Sequence, residues 1–336
     1  MEENEARFSH SLNTPSMQEP LLSILGFLGD SDVTEAILSG TYQPPPDVEH
    51  YSRLFLQALA SPPGVTQLQR DSLFISAEKH AASWRKQKSR TGCESTGLSF
   101  SHYIAGALHP EIAEVDAALR SAPYEMGFAP PDWLNITDVS ILKKAGVYDV
   151  EKMRTIQLMH AAFNMNNKQL GRDSLAHAEQ EFSLAKEQDG SRKKRAANKT
   201  VVKKTLTANL SFQQRLAAAL KSCDATKCYD RMNHNATALS IRRTGMPKEP
   251  VNSMFKTLQR AKHYIKTAFG ISGGSYGGWA RFILGIFPLM GIGQGNGAGP
   301  SGFAFLSSVL VQLLKNANCG AHITTALTFT CVAFVG

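Results

Sequence analysis

A chain of 336 residues with 43% hydrophobic and 19% charged side chains has the apolar content for a packed core and is too hydrophobic to be a disordered chain. Its formal net charge of +8, from 36 Lys and Arg against 28 Asp and Glu, suits a polyanionic partner such as nucleic acid or an anionic surface. The five cysteines show no CxxC and no His-Cys metal spacing, which argues against a disulfide scaffold or a zinc site and fits a reducing, intracellular compartment.

The N-terminus, MEENEARFSH, is too acidic and polar for a secretory signal, and residues 1–50 are weakly patterned, with a short helix expected at Pro20–Leu28. Tyr51, Leu54, Phe55 and Ala58 recur at helical spacing, so Glu49–Ser61 is expected to be a helix, stopped by Pro62-Pro63. Gln67–Lys88 reads as a further helix ending among Arg85, Lys86 and Lys88. Thr91–Ala107 is a Gly/Ser loop running into an aromatic helix start, Pro110–Leu119 is helical, and Pro123–Trp133 is a Pro/Gly-rich passage. Val139–Lys144 predicts a short strand, Gly146 a turn, and Met153–Leu158 the returning strand. The resulting hairpin carries Lys143, Lys144, Lys152 and Arg154 near its tip or inner face, as a solvated basic hairpin or as a contact surface.

Leu158–Gln169 and Ser174–Lys186 read as helices. The densest charge run follows, with Arg192, Lys193, Lys194, Arg195, Lys199, Lys203 and Lys204. Such a run is usually a solvated face or an import signal; a nucleic-acid contact is the sharper reading, which the overall basicity raises modestly. Ser211–Lys221 is an Ala/Leu-rich helix, and Asp230–Arg243 a second helical run. The apolar runs near the C-terminus are broken by Pro288, Gln294, Asn296 and Lys315, and none has the length of a membrane span.

Two stretches carry the chemistry. Cys223–Met232 reads CDATKCYDRM, with Asp224 between two helical runs, where a carboxylate can hold a hard divalent cation, and Tyr229 one turn beyond. An N-cap aspartate with a core tyrosine is the plainer reading of the same residues. Gly291–Pro300 reads GIGQGNGAGP, small residues that let backbone approach a ligand, with the Gln294 amide at the crown. It is no Walker loop, because no Lys-Ser/Thr follows, and it lacks the setting of a dinucleotide fingerprint.

In this order the stretches resemble the reverse transcriptase of non-LTR retrotransposons. Asp224 to Tyr229 is similar to polymerase motif A, and Gln294-Gly295 to Pro300 to motif B. Ser140–Leu158 resembles the fingers strands, with Arg154-Thr155-Ile156 where Arg-Pro-Ile is usual. Glu187–Arg192 resembles the Gln-x-Gly/Phe-Arg segment before motif A, and Thr96–Tyr103 the Gly-rich approach to the fingers. The likeness covers roughly residues 84–336.

The resemblance implies an RNA-directed DNA polymerase acting on an RNA template, a DNA primer and deoxynucleoside triphosphates, with no membrane partner and nuclear DNA as its setting. Asp224 would be catalytic and would ligate magnesium together with the Ala225 carbonyl. Tyr229 would stack under the incoming sugar and exclude a 2′-hydroxyl. Arg154 and Lys143 or Lys144 would bind the triphosphate, and Gln294 and Gly295 would contact nucleotide and template. Arg192, Lys193, Lys194, Arg195 and Lys199 would meet nucleic acid. The implied fold is α+β: an N-terminal helical, partly disordered region over 1–83, fingers over 84–210, and over 211–336 a partial palm, an incomplete antiparallel sheet backed by helices. The family's next motif is a strand bearing aromatic-x-Asp-Asp; Val332–Val335 is similar to its lead-in, and Gly336 stands where the first aspartate is expected. One carboxylate does not clamp two magnesium ions, so the chain as it stands is expected not to polymerise. A non-catalytic nucleic-acid-binding remnant of a retroelement is the alternative, and mononucleotide binding by the GQGNGAG loop a third.

Overall fold

The computed structural model describes Glu2 and residues 18–94, 97–215, 225, 227–278, 288–319, 321–324 and 327–329. Its centre is the expected hairpin. β1 (Asn135–Leu142) and β2 (Met153–Leu158) pair antiparallel, with Ile141 opposite Arg154 and Val139 opposite Ile156. β3 (Lys262–Thr267) lies parallel to β1 on its other side, and β4 (Gly270–Ile271) and β5 (Tyr276–Gly277) both pair antiparallel with β3. The sheet is therefore mixed rather than antiparallel throughout, because a parallel neighbour can be reached only through a long crossover. β6 (Ala321–Thr324) and β7 (Leu327–Phe329) make a separate antiparallel pair. The fold class is α+β.

Period-two alternation gives the central sheet one buried face. Ile136, Asp138, Thr155, Gln157, His263 and Tyr276 all point there and are under a tenth exposed. Leu258, Leu289 and Met290 close over Gln157 and His263 on that side. Tyr276 donates its hydroxyl proton to Asp138, and His263 Nδ1 lies 3.2 Å from the same carboxylate, so the one acidic side chain of the sheet is buried among polar partners.

The described helices are α1 (Leu21–Leu25), α2 (Thr34–Ser39), α3 (His50–Ala58), α4 (Arg70–Leu73), α5 (Ala77–Trp84), α6 (Phe100–Gly106), α7 (Pro110–Met126), α8 (Ala161–Gln180), α9 (Ala197–Gln213), α10 (His234–Arg242), α11 (Lys248–Arg260) and α12 (Gly299–Asn316). The single helix predicted over Gln67–Lys88 is two, because Ser76 leaves the helical conformation and caps α5 by accepting from the Lys79 amide at 3.2 Å. Two helices predicted over 158–186 are one. α8 continues through Gly171, whose missing side chain lets Ser301 of α12 approach to where a Cβ would stand. α7 runs through Pro123 and stops at Gly127, whose φ of 66° makes the left-handed cap. The helix predicted from Asp230 begins only at His234, after a 3₁₀ turn over Cys228–Arg231. No element is predicted for residues 244–278, yet α11 and β3 to β5 fall there.

One apolar core runs from Leu73 to Phe305 and draws on all three stretches into which the sequence divides. A second gathers Leu21, Leu25, Ile37 and Leu59 of the N-terminal helices onto Leu239 of α10 and Val309 of α12. Among the described residues no helix is long and apolar enough to cross a membrane.

Candidate functional site

Three stretches far apart in sequence meet at the edge of β2. The turn over Cys228–Arg231 and the loop Gly291–Gly295 are joined by backbone: Ile292 donates to the Tyr229 carbonyl and Gly291 to that of Met232, both at 2.9 Å. His234, at the start of α10, reaches back through Nε2 to the Gly291 carbonyl at 2.8 Å. The loop then docks beside β2, where Gln157 donates to the Gln294 carbonyl at 2.7 Å and Ile156 forms a parallel bridge with Gln294. Asn164, in the first turn of α8, clamps the far side, donating to the Gly295 carbonyl at 2.9 Å and accepting from the Gly297 amide at 2.7 Å.

Glycine is required for this threading at two positions in particular. A Cβ on Gly291 would stand 2.8 Å from the Asp230 carbonyl oxygen, and one on Gly295 2.5 Å from that of Gln157; both residues have positive φ, 93° and 119°. The amides of Gly291, Ile292, Asn296, Gly297, Ala298 and Gly299 already donate to protein oxygens. That weighs against a phosphate cradle, whose amides must face outward.

The Tyr229 ring lies against the N-terminus of α12: a Cβ on Gly299 would be 3.6 Å from its Cε1. The ring is half-buried, and burial raises its hydroxyl pKa, with the nearby Cys228 adding to the effect. Gln294 is half-buried and Gly295 exposed, so the crown of the loop faces outward. Asp230, beside Tyr229, is 2% exposed and faces the interior. Arg154 is exposed on β2, two residues along from the Ile156 rung that holds Gln294. Lys143 and Lys144 are exposed in the loop beyond β1.

Asp224, expected to be catalytic and to ligate magnesium, lies outside the described residues, as does Gly336; Ala225 is exposed. Among the described residues no three His, Cys, Asp or Glu side chains gather in a way that could hold a metal ion.

The basic run is elsewhere. Arg192 is 9% exposed and bonds Glu179 through Nε at 2.5 Å and Nη2 at 2.6 Å, while Nη1 donates to the carbonyls of Ala185 and Gln188. Four of its five N–H groups are thus directed inward. Arg195 and Lys203 converge with Thr200 on Asp189. Burial opposes the charge on Asp189, but the hydrogen bonds from Lys203, Arg195 and Thr200 prevail and its pKa lies below the usual value. Lys193, Lys194 and Lys199 are exposed. Glu179 stands fifteen residues along α8 from Asn164, about 22 Å, so this run and the loop occupy opposite ends of one helix.

No protein-family model matches the chain, and no curated protein matches it.

Gln157, Asn164 and His234 build the junction and have no motif to announce them. The one signal available is an amide or imidazole in the first turn of a helix, Asn164 on α8 and His234 on α10, and that pattern is shared by ordinary caps.

Proposed function

We propose that this chain carries fingers and palm elements of an RNA-directed DNA polymerase of the retroelement type, binding an RNA template with a DNA primer and a deoxynucleoside triphosphate. One observation carries the reading. The hairpin strand with Arg154, the turn with Tyr229 and the loop with Gln294, three stretches the resemblance assigns to one nucleotide site, are held together by backbone hydrogen bonds. In this reading Arg154 meets the triphosphate with its planar fork and the hairpin lysines act as point charges. The Tyr229 ring, fixed against α12, blocks a 2′-hydroxyl. Gln294 and Gly295 face nucleotide and template from the loop's crown. Asp224 and the Ala225 carbonyl hold magnesium.

The test is equilibrium binding of dTTP and UTP in magnesium, in the presence of a primer–template. Wild type is expected to prefer dTTP, Tyr229→Ala to bind the two equally, and Arg154→Ala to weaken both at least about tenfold, the scale of a lost charged hydrogen-bond pair. Asp224→Asn should remove the magnesium dependence and leave primer–template affinity unchanged. Primer–template binding without any nucleotide binding would replace this reading by the non-catalytic nucleic-acid binder, which the exposed Lys193, Lys194 and Lys199 favour.

A further inference from the structure

The face of the central sheet opposite the buried one has a distinctive population. Strand register puts Val139, Ile141, Arg154, Ile156, Tyr264 and Lys266 on it together, because directly paired residues share a face. Arg154 and Lys266 are exposed, Ile141 is 49% exposed, and Tyr264 is half-buried. Ile271 of β4, opposite Lys266, continues the face and is 42% exposed. The sole acidic residue in the five strands, Asp138, points the other way and is fully buried. At the end of this face where Thr137 is buried, the loop around Gly92 lies against Leu158.

The parallel pairing of β1 with β3 sends two hairpin tips to the same end of this sheet. One tip holds Lys143, Lys144 and the exposed Tyr148. The other holds Phe269, whose side chain is wholly exposed. That second tip is well built: Ser272 donates through its amide to the Ile265 carbonyl at 2.9 Å and accepts through Oγ from the Ile265 amide at 3.0 Å, and Thr267 Oγ1 accepts from the Phe269 amide. A well-bonded turn therefore holds an aromatic ring in water, where covering it is favourable.

An apolar, aromatic surface edged by cations and without a carboxylate is complementary to a chain of bases joined by phosphates, provided the bases are unpaired and present their faces. We propose that this sheet face and the Phe269 tip bind single-stranded nucleic acid, with bases on Tyr264 and Phe269 and a phosphate at Lys266. The proposal rests on the nucleic-acid part of the reading above and is independent of nucleotidyl transfer.

The experiment is fluorescence anisotropy with labelled 20-nucleotide oligo(U) and oligo(dT), and with a 20-base-pair duplex, at several salt concentrations. The full chain is compared with Phe269→Ala, Lys266→Ala and the double variant; both side chains are exposed, so folding is preserved, and circular dichroism checks it. The single strands are expected to bind more tightly than the duplex. Phe269→Ala should weaken them about five- to a hundredfold, the range for one lost stacking contact. Lys266→Ala should lower the slope of log K against log salt by about 0.7. Single-strand binding that the double variant leaves within twofold overturns this proposal and leaves the proposed function standing. Equal binding of duplex overturns it likewise. No binding of any oligonucleotide overturns both.

Discussion

His234 is completely buried, its ring 5.0 Å from that of Phe255 and its Nε2 hydrogen donated to the Gly291 carbonyl. Burial lowers its pKa from 6.5 to about 4, more than the carbonyl's pull raises it. His80 is likewise lowered to about 4, by burial and then by the Arg120 charge, whose Nη1 is 3.2 Å from its Nδ1. In both, the folded pKa is below the unfolded one, so the unfolded chain takes up protons first as pH falls. The stability these neutral rings contribute is whole above about pH 6.5 and is lost progressively down to about pH 4. For His234 the shift corresponds to roughly 3 kcal/mol. Urea titrations from pH 7.5 to 4 should show this decline, and His234→Gln should flatten it by about that amount, whatever it costs at neutral pH. An unchanged slope would mean that the ring is charged when folded.

Among the elements, the segment Ser183–Ala196 bridges α8 and α12 and shows how a basic run divides its labour. Glu179 and Arg192 fix its base, and Gln188, fully buried, accepts from Ser307 of α12 at 2.8 Å. Glu179→Ala should destabilise the fold by about 1–3 kcal/mol, since it strands a guanidinium that is largely out of water while the carboxylate itself is partly exposed. Lys193→Ala with Lys194→Ala should change stability by no more than about 0.5 kcal/mol yet reduce the salt dependence of nucleic-acid binding. Denaturation and anisotropy on the same variants separate the two roles. Sequence could not have made that division, because spacing does not reveal which cation meets a carboxylate thirteen residues upstream. It did reveal the β1–β2 hairpin, whose alternation and turn residues are local, and the glycine loop, whose composition is extreme. It missed β3 to β5, where KHYIKT is too polar on alternate positions to stand out and is specified by its parallel neighbour.

At the scale of the molecule, the N-terminal helices are part of the body. Arg242 of α10 donates to the Gly29 carbonyl and to Glu35, Asn235 donates to the Gly26 carbonyl, and Thr66 bonds Glu181 through both its amide and its hydroxyl. Removing residues 18–60 would uncover Leu239 and Val309, both with no exposed surface at present. Size-exclusion chromatography should find that shortened chain aggregated, whereas a separable module would leave a monomer. The parallel rung between Asn135 and Lys262 carries a further implication, for the order of events at the ribosome. Synthesis adds roughly 5–20 residues each second, so β3 emerges some 6–25 s after β1, and Gln294 later still. Through that interval the nascent hairpin holds two unclaimed edges and Ile136 uncovered, a natural client for a chaperone that recognises extended apolar strands.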